Sequence, residues 1–217
     1  MAISTIAFEM LFRNRLKSCF GTGIKGPVFR KLWLGWAGVW KRWFTSTWST
    51  RAISGAGETA MAIDQRHFRD VMGTFATGVT IITTMVNGAA HGITANSFSS
   101  VSLDPPLVLF CLGRSSTNFE AFMAADCFAV NILAAGQDAL STRFAVYEGD
   151  RFEGVPWQTW ETGSPVLDGV VAAADCLCEA KHDAGDHIVM IGRAVRAEAL
   201  SNTPPLLYHR GKYAQIG

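Results

Sequence analysis

The stretch GITANSFSSVSLDPPLVLFCL, residues 92–112, decides the fold. Its pattern predicts a strand over 90–96, a serine-rich continuation of that strand over 97–102, a break at Asp104-Pro105-Pro106 and a buried strand over 107–112. The stretch therefore supplies strands to a sheet and, between them, a run of small polar side chains.

The polar run has an unusual composition for a strand. Six of the nine positions from Thr94 to Ser102 carry hydroxyl or amide groups. Such small side chains let a planar ligand approach the backbone closely and offer many donors and acceptors. The alternative is an exposed edge strand with a polar outer face. However, the apolar residues Ala95, Phe98 and Val101 do not follow the two-residue alternation of an edge strand, so neither face is uniformly polar. The pattern therefore favours a ligand site.

The remaining segments predict a mainly β fold with helical additions. A helix is expected over 64–75, with Asp64 as N-cap and with an inward-facing apolar side formed by Phe68, Val71, Met72 and Phe75. The β-branched run Val79–Val86 ends at the turn signal Asn87-Gly88. Further strands are expected over 127–133, 166–180 and 187–199, further helices over 117–124 and 137–145, a long loop over 147–165 and a closing segment over 204–213. Six or so strands with few helices indicate a closed β-barrel.

Residues 1–60 differ chemically from the rest of the chain. They contain nine Lys and Arg against two acidic residues, whereas residues 61–217 contain ten against sixteen. They also hold five of the seven tryptophans, and those at 33, 36, 40 and 43 share one face of a predicted basic amphipathic helix. The apolar run 32–40 is too short to span a membrane, which takes about 20 residues.

Three interpretations of residues 1–60 stay open: an organelle presequence, a helix on a membrane surface, or an untranslated leader with Met61 as the true first residue. The abrupt change at Met61, after the small polar stretch 49–59, favours the leader. We therefore expect a Trp-rich extension over 1–60 and one domain over 61–217. Membrane contact is expected only if the helix belongs to the native protein.

Charge and cysteine content exclude several classes of function. The acidic balance of residues 61–217 argues against nucleic-acid binding, which needs a basic surface. The five cysteines are not spaced as a disulfide framework or a zinc site, and Cys176 and Cys178 are expected to be ordinary small strand residues. A reducing, cytoplasmic location fits best, with organelle import as the alternative if residues 1–60 are a presequence.

A second polar cluster, GRSSTN at 113–118, follows a buried strand and precedes a predicted helix. Arg114 offers a planar charged fork, and three hydroxyls add donors, which is suitable chemistry for a phosphate. The alternative is plain N-capping of the helix by Ser116 or Thr117. Both can hold at once.

A third cluster is Gly185-Asp186-His187, which opens a strand. The simple interpretation of this cluster is a turn followed by a histidine at the start of a strand. The alternative is that the histidine contacts a ligand. Strand alternation predicts that Asp186 and His187 point to opposite faces, so that Asp186 holds the turn and does not orient the imidazole. Other catalytic motifs, such as a nucleophile elbow or a phosphate-binding lysine loop, do not occur in the sequence.

Six motifs, in order, resemble the flavin reductase-like family: TFATGVTIITT (74–84), GITANSFSSVSLDPPLVLFCL (92–112), RSST (114–117), FAVNIL (128–133), GDHIVMIGRAV (185–195) and PPLLYHRGKY (204–213). Each motif alone is weak, but six in order are specific. The resemblance covers residues 61–217, and residues 1–60 have no counterpart. This family comprises short-chain NAD(P)H:flavin oxidoreductases with an FMN-binding split β-barrel, which often serve two-component monooxygenases.

The resemblance implies roles for individual residues. The isoalloxazine and ribityl chain would be lined by Thr94, Ala95, Asn96 and Ser97, with Ser100 and Ser102 nearby. The flavin phosphate would be held by Arg114, Ser116 and Thr117. The nicotinamide site would be bordered by His187 and by Tyr208, His209 and Arg210.

The resemblance also implies a homodimer with flavin near the subunit interface, FMN or FAD as the flavin, NADH or NADPH as the reductant, and a partner monooxygenase. Hydride passes from nicotinamide C4 to flavin N5, so no side-chain acid or base is required. The alternatives are a split-barrel oxidase of the pyridoxamine-phosphate kind, against which the GDH and SFSSVS motifs argue, and a non-catalytic flavin-binding module.

Overall fold

The computed structural model describes residues 63–216, and the expectations for residues 1–60 lie outside that range. The described part contains three helices, namely α1 (Gln65–Met72), α2 (Phe119–Ala124) and α3 (Asp138–Val146). Its strands are β1 (Thr77–Gly78), β2 (Thr80–Val86), β3 (Ala89–Ala95), β4 (Ser99–Leu103), β5 (Pro106–Gly113), β6 (Cys127–Ile132), β7 (Trp157–Thr159), β8 (Pro165–Leu167), β9 (Ala172–Ala184), β10 (His187–Ala199), β11 (Leu207–His209) and β12 (Lys212–Ala214).

The main sheet has seven antiparallel strands in the order β3-β2-β6-β9-β10-β5-β4. The chain passes from β3 at one edge to β4 at the other through only residues 96–98, so the two edges lie close together and the sheet curves on itself. Ser97 bridges the gap, because its Oγ accepts a hydrogen bond from the Cys111 N–H on β5 at 2.9 Å. The prediction of a mainly β, split-barrel fold with helical additions is confirmed.

Two apolar clusters pack on opposite faces of the sheet. In the inner cluster, the Phe110 and Phe128 rings meet edge to face with centroids 5.1 Å apart. The outer cluster covers the other face with Ile81, Phe144 and Leu206, among others. Strand β2 contributes to both clusters and is buried on both sides, which explains its run of β-branched residues rather than an alternating pattern.

Strands β9 and β10 form a long hairpin in the main sheet. Its tip is Gly185-Asp186, where Gly185 adopts a φ of +66° that favours glycine. Strand β10 also pairs with β5, so that His187 lies opposite Gly113. The polar segment that follows Gly113 is thereby brought to the hairpin tip.

The predicted helix over 64–75 is shorter and differently oriented than expected. Asp64 is the N-cap, accepting from the His67 N–H at 2.8 Å, but the helix ends at Met72. The apolar side chains expected to face the core are all exposed, namely Phe68, Val71, Met72 and Phe75. The prediction that this side of the helix packs on the core is therefore wrong for the single chain. Apolar periodicity identifies the apolar side of a helix but does not specify which surface covers it.

Other segment boundaries also differ from the sequence pattern. Residues 97–102 do not continue β3, since the chain crosses to the opposite sheet edge and starts β4. The loop expected over 147–165 contains β7, which pairs with β8, and the strand expected over 166–180 is divided into β8 and β9. Turn residues such as Gly163 and Gly169, both with positive φ, separate these pieces.

Candidate functional site

The larger cavity, of about 690 Å³, lies against the C-terminal end of α1. Three of the predicted site residues line it, namely Asn96, Tyr208 and Arg210. Asn96 follows the last residue of β3 and is exposed, while Tyr208 pairs with Thr77 across β11 and β1. The structure therefore brings one predicted flavin residue and two predicted nicotinamide residues to one cavity.

The hairpin β11–β12 turns through Arg210 and Gly211, with φ values of +49° and +76°. Positive φ at both central residues is the geometry of a tight hairpin turn, normally filled by Asn-Gly or Asp-Gly. Arginine is uncommon in this conformation, and such outliers cluster at binding sites. The Arg210 N–H donates to the Gly73 carbonyl at 2.8 Å, which fixes the turn against the end of α1.

Thr77 also lines the larger cavity and was not predicted from the sequence. Its Oγ1 is buried and has no hydrogen-bond partner among the described residues, yet the residue lines the larger cavity. Buried hydroxyls normally find a partner. Asn96 and Arg210 line the same cavity, so its wall offers an unpaired hydroxyl, an amide and a guanidinium to a ligand rich in acceptors.

Thr94 is tied to the helix α3. Its Oγ1 donates to the Ser141 carbonyl at 2.6 Å, and the Tyr213 hydroxyl donates to Ser141 Oγ at 2.9 Å. Ser141 is fully buried between them. The hairpin that carries Tyr208 and Arg210 is thus connected through one helix residue to the strand that leads to Asn96.

The other predicted flavin residues on this stretch have varied environments. Ala95 is buried in the inner cluster, and Ser97 is bonded to the Cys111 backbone. Ser100 is exposed and Ser102 half-buried on the edge strand β4. Ala95 and Ser97 have small side chains that do not project far from the backbone. The exposed polar groups of this stretch belong to Asn96 and Ser100.

Arg114 is engaged with the tip of the β9–β10 hairpin. Its guanidinium forms an ion pair with Asp183 and donates from Nε to the Gly185 carbonyl at 3.2 Å. The Arg114 N–H also donates to the Asp186 carbonyl at 3.0 Å. The predicted phosphate cation is therefore already paired with a carboxylate in this structure.

His187 lies at the same tip, and its nearest polar partner corrects a prediction. Its Nδ1 is 2.7 Å from Asp186 Oδ1, so the two side chains do not point apart as strand alternation predicted. The reason is that Asp186 is a turn residue and β10 begins only at His187, so the alternation rule does not apply to the pair. The hydrogen bond and charge of His187 hold the pKa of Asp186 below its ordinary value.

Ser116 and Thr117 belong to the turn before α2, which has only six residues. Ser116 Oγ accepts from the Asn118 N–H at 3.3 Å, as expected of a local turn. Thr117 is exposed and lines a second, smaller cavity of about 360 Å³. This cavity does not include Arg114.

The polar residues His91 and Arg151 also line the smaller cavity and were not singled out from the sequence, whereas Asn118 ends the predicted GRSSTN cluster. The His91 Nδ1 is 3.1 Å from Asn118 Oδ1, and Asn118 Nδ2 donates to the Gly92 carbonyl at 3.2 Å. Arg151 donates from Nη2 to Thr117 Oγ1 at 3.3 Å. Arg151 lies in a segment that the sequence pattern predicted only as a loop, so no local signal identified it.

Cys176 and Cys178 have no sign of reactivity. Burial, with the neighbouring Asp175 adding to it, raises the pKa of the Cys176 thiol to about 12. Burial also raises the pKa of Cys178. Because thiolates are the reactive form, these raised pKa values favour the unreactive thiol, as expected of ordinary strand residues.

The length and hydropathy of the described helices bear on whether any of them could cross a membrane. None of those within residues 63–216 has the length and apolar character needed to cross a bilayer.

Comparison with known proteins identifies the class. Residues 72–217 match the family described as flavin reductase like domain. The reductase subunit HsaB of a flavin-dependent monooxygenase from Rhodococcus jostii is 43% identical over 165 residues, covering 76% of this chain and 85% of HsaB. The FMN reductase (NADH) SmoA from Agrobacterium fabrum is 41% identical over 153 residues, covering 70% of this chain and 87% of SmoA.

A solved structure agrees with these relatives. The structure of the NADH:FAD oxidoreductase SgcE6 of Streptomyces globisporus in complex with NAD and FAD fragments superposes with a TM-score of 0.68 at 35% identity, over 71% of this chain and 93% of that one. The fold, the family match and these relatives together define a split-barrel oxidoreductase. The chain belongs to the flavin reductase-like family, and its relatives are reductase components of two-component monooxygenases.

Proposed function

We propose that this protein transfers hydride from NADH to FMN or FAD and supplies the reduced flavin to a separate monooxygenase. The observation that carries the proposal is the larger cavity, whose lining includes Thr77, with a buried hydroxyl unpaired among the described residues, together with Asn96 and Arg210. The bound flavin supplies the redox chemistry, accepting hydride at its ring. The contribution of the protein is to hold the two rings close and correctly oriented.

The flavin site is proposed to follow β3 and the segment after β5. Asn96 and the exposed end of the polar run would contact the ring and ribityl chain, together with Thr94, Ala95, Ser97, Ser100 and Ser102. Backbone and hydroxyl donors there would stabilise the charge of the reduced ring. The phosphate end would lie at Arg114, Ser116 and Thr117. Thr94 and Ser97 are already hydrogen-bonded within the protein, so they would act by fixing the strand.

The nicotinamide site is proposed to involve Tyr208, His209 and Arg210, with His187 as a further contact. Tyr208 and Arg210 line the larger cavity, whereas His187 does not. His187 is at the hairpin tip beside Arg114, where its imidazole would reach the phosphates or carboxamide of the dinucleotide rather than the ring stacked over the flavin. It would position the ligand without exchanging a proton.

A homodimer is proposed to complete this site. The exposed apolar side of α1 borders the larger cavity at Val71 and Met72, so a second copy packed on α1 would cover both the helix and the cavity. Large apolar patches on a protein surface usually mark such contacts. The partner monooxygenase is proposed from the relatives, HsaB being the reductase subunit of such a system. A cytoplasmic location, with membrane contact only through residues 1–60, completes the proposal.

A steady-state assay tests the function. NADH consumption by the purified chain should rise with added FMN or FAD and saturate. The alternative of a flavin-binding module would show flavin binding without NADH consumption. An oxidase of another substrate would hold a bound flavin that NADH does not reduce.

A further inference from the structure

The hairpin β11–β12, which carries Tyr208 and Arg210, has few backbone anchors. Strand β11 pairs with β1 through two residues, and β12 pairs with β11 alone among the described strands. The two side-chain hydrogen bonds that β12 forms within residues 63–216 both come from Tyr213. Tyr213 is therefore the side chain that hydrogen-bonds the outer strand of this hairpin to the rest of the domain.

The Tyr213 hydroxyl reaches helix α3. It donates to Ser141 Oγ at 2.9 Å and lies 3.3 Å from Thr142 Oγ1. Ser141 is fully buried, although the Tyr213 ring itself is 38% exposed. A hydrogen bond to a buried group is electrostatically stronger than one in water, so the contact with Ser141 is the main attachment.

Ser141 is held from its other side by β3. Its carbonyl accepts from Thr94 Oγ1 at 2.6 Å, and its N–H donates to the Gln137 carbonyl within the helix at 2.9 Å. Thr94 lies two residues before Asn96, which lines the larger cavity. Tyr213, Ser141 and Thr94 thus form a continuous hydrogen-bonded connection, the tyrosine link, between the hairpin and β3.

Tyr213 also contacts Tyr208 directly. The two residues lie opposite each other in the β11–β12 pair, and their rings meet edge to face with centroids 5.6 Å apart. Tyr208 lines the larger cavity, as does Arg210 in the turn of the same hairpin. A displacement of Tyr213 from α3 would therefore move the residues proposed to contact the nicotinamide.

Hydride transfer needs two rings at a short distance and in a fixed orientation. A displacement of about 1 Å can slow such a reaction by about 100-fold. The nicotinamide is proposed to lie against the β11–β12 hairpin and the flavin against β3. The tyrosine link joins these two elements, so it is placed to fix the distance between the two rings.

We propose that Tyr213 is a positioning residue for hydride transfer, because its hydrogen bond to Ser141 holds the nicotinamide-binding hairpin in place relative to the flavin-binding strand β3. This inference rests on the proposed function and adds a residue to it. Tyr213 lines neither of the two cavities, so it acts through Tyr208 on one side and through Ser141 and Thr94 on the other.

The test separates this role from an ordinary contribution to stability. Tyr213→Phe removes the hydroxyl and keeps the ring contact with Tyr208, and Ser141→Ala removes the acceptor. Ser164→Ala is the matched control, since Ser164 is fully buried like Ser141, accepts from the Thr162 hydroxyl at 2.9 Å and lines neither cavity.

Three quantities are measured on the full-length wild type, the three single variants and the Tyr213→Phe/Ser141→Ala double variant. They are the thermal unfolding midpoint, the FMN dissociation constant, and the rate of anaerobic reduction of bound FMN over a series of NADH concentrations. The last measurement gives both the limiting rate of reduction and the NADH concentration at half of that rate.

All three single variants should lower the unfolding midpoint by about 2–4 °C, as the loss of one hydrogen bond does in a chain of this size. Tyr213→Phe should also slow the limiting rate of FMN reduction about ten-fold, with a nearly unchanged FMN dissociation constant. Ser141→Ala should act in the same direction, and the double variant should be no slower than Tyr213→Phe, because both changes break one bond. Ser164→Ala should reduce FMN at the wild-type rate.

A Tyr213→Phe variant that reduces FMN at the wild-type rate would overturn the inference and assign the hydrogen bond to stability alone. An equally slow Ser164→Ala would overturn it too, since general loosening would then explain the loss, and so would a loss confined to the FMN dissociation constant. If Ser141→Ala does not fold, Tyr213→Phe and Ser164→Ala decide between these outcomes. A wild type whose bound FMN is not reduced by NADH would refute the proposed function and this inference together, whereas an active wild type beside an unaffected Tyr213→Phe refutes the inference alone.

Discussion

Asp186 Oδ1 and His187 Nδ1 lie 2.7 Å apart at the tip of the β9–β10 hairpin. The carboxylate of a turn residue thus fixes the imidazole of the first strand residue. The other ring nitrogen, Nε2, is on the side of Gly113, at ordinary van der Waals distance (3.6 Å) from the position that a Cβ would take there. Within residues 63–216, Nδ1 is the ring nitrogen that forms a hydrogen bond, so the imidazole is oriented with Nε2 left for a ligand.

We expect His187→Ala to raise the KM for NADH, or to slow flavin reduction, while leaving flavin affinity nearly unchanged. Asp186→Ala should have the same effect to a smaller degree, because the ring keeps its position but loses its orientation, and Asp186→Asn should restore part of the loss. The pKa of Asp186 is held below its ordinary value, so the carboxylate partner persists at neutral pH and is lost only as pH falls through that lowered pKa.

Flavin titration and stopped-flow reduction on the same variants check this prediction. Lost flavin binding with normal reduction of the flavin that remains would place His187 in the flavin pocket and contradict the nicotinamide assignment.

Arg114→Ala should weaken FMN binding by about 1.5–3 kcal/mol if Arg114 reaches the flavin phosphate, the range for hydrogen bonds to charged groups. Riboflavin, which lacks the phosphate, should be affected much less. Asp183→Asn is the matched variant, since it releases Arg114 from its ion pair and should leave FMN affinity equal or higher. Calorimetric titration with both flavins measures these effects, and an equal loss for FMN and riboflavin in Arg114→Ala would assign Arg114 to the hairpin alone.

Phe75→Ser should weaken the proposed dimer, because Phe75 is 76% exposed in the single chain beside the exposed apolar side of α1. Sedimentation of the full-length protein over a concentration series measures the association. Arg66→Ala, an exposed polar position on the same helix, should leave the association unchanged. A wild-type protein that is monomeric at all concentrations, or a Phe75→Ser variant that dimerises normally, would contradict the assignment of this surface.

A chain that starts at Met61 should fold, form the same dimer and retain reductase activity, because the motifs that resemble the family all lie beyond that residue. Solubility, sedimentation and NADH turnover are compared with those of the full chain. An insoluble or inactive shortened chain beside an active full chain would show that residues 1–60 are needed.

Local patterns predicted the strands and turns that depend on nearby residues. The β-branched run of β2 and the Asn87-Gly88 turn, with φ values of +51° and +79°, follow directly from conformational preference. The crossing from β3 to β4 was not predictable in this way, because nothing in the three residues Asn96-Ser97-Phe98 distinguishes a strand that continues from one that changes sheet edge.

The candidate site shows the same limit. The polar runs that contain Asn96 and Thr117 have distinctive compositions, and both runs reach cavities. Arg151 and Thr77 are single residues in ordinary surroundings, and they enter the site only through contacts with distant segments. The hydrogen bond from Arg151 to Thr117 joins positions 34 residues apart, which no local pattern specifies.

The most direct test of the central claim is anaerobic mixing of the purified protein, loaded with FMN, with NADH, followed by the flavin absorbance. We expect the oxidised flavin band to bleach with one equivalent of NADH, and further free FMN to be reduced in proportion to the NADH supplied. A bound flavin that keeps its oxidised spectrum in excess NADH would contradict the claim that this protein is an NADH-dependent flavin reductase.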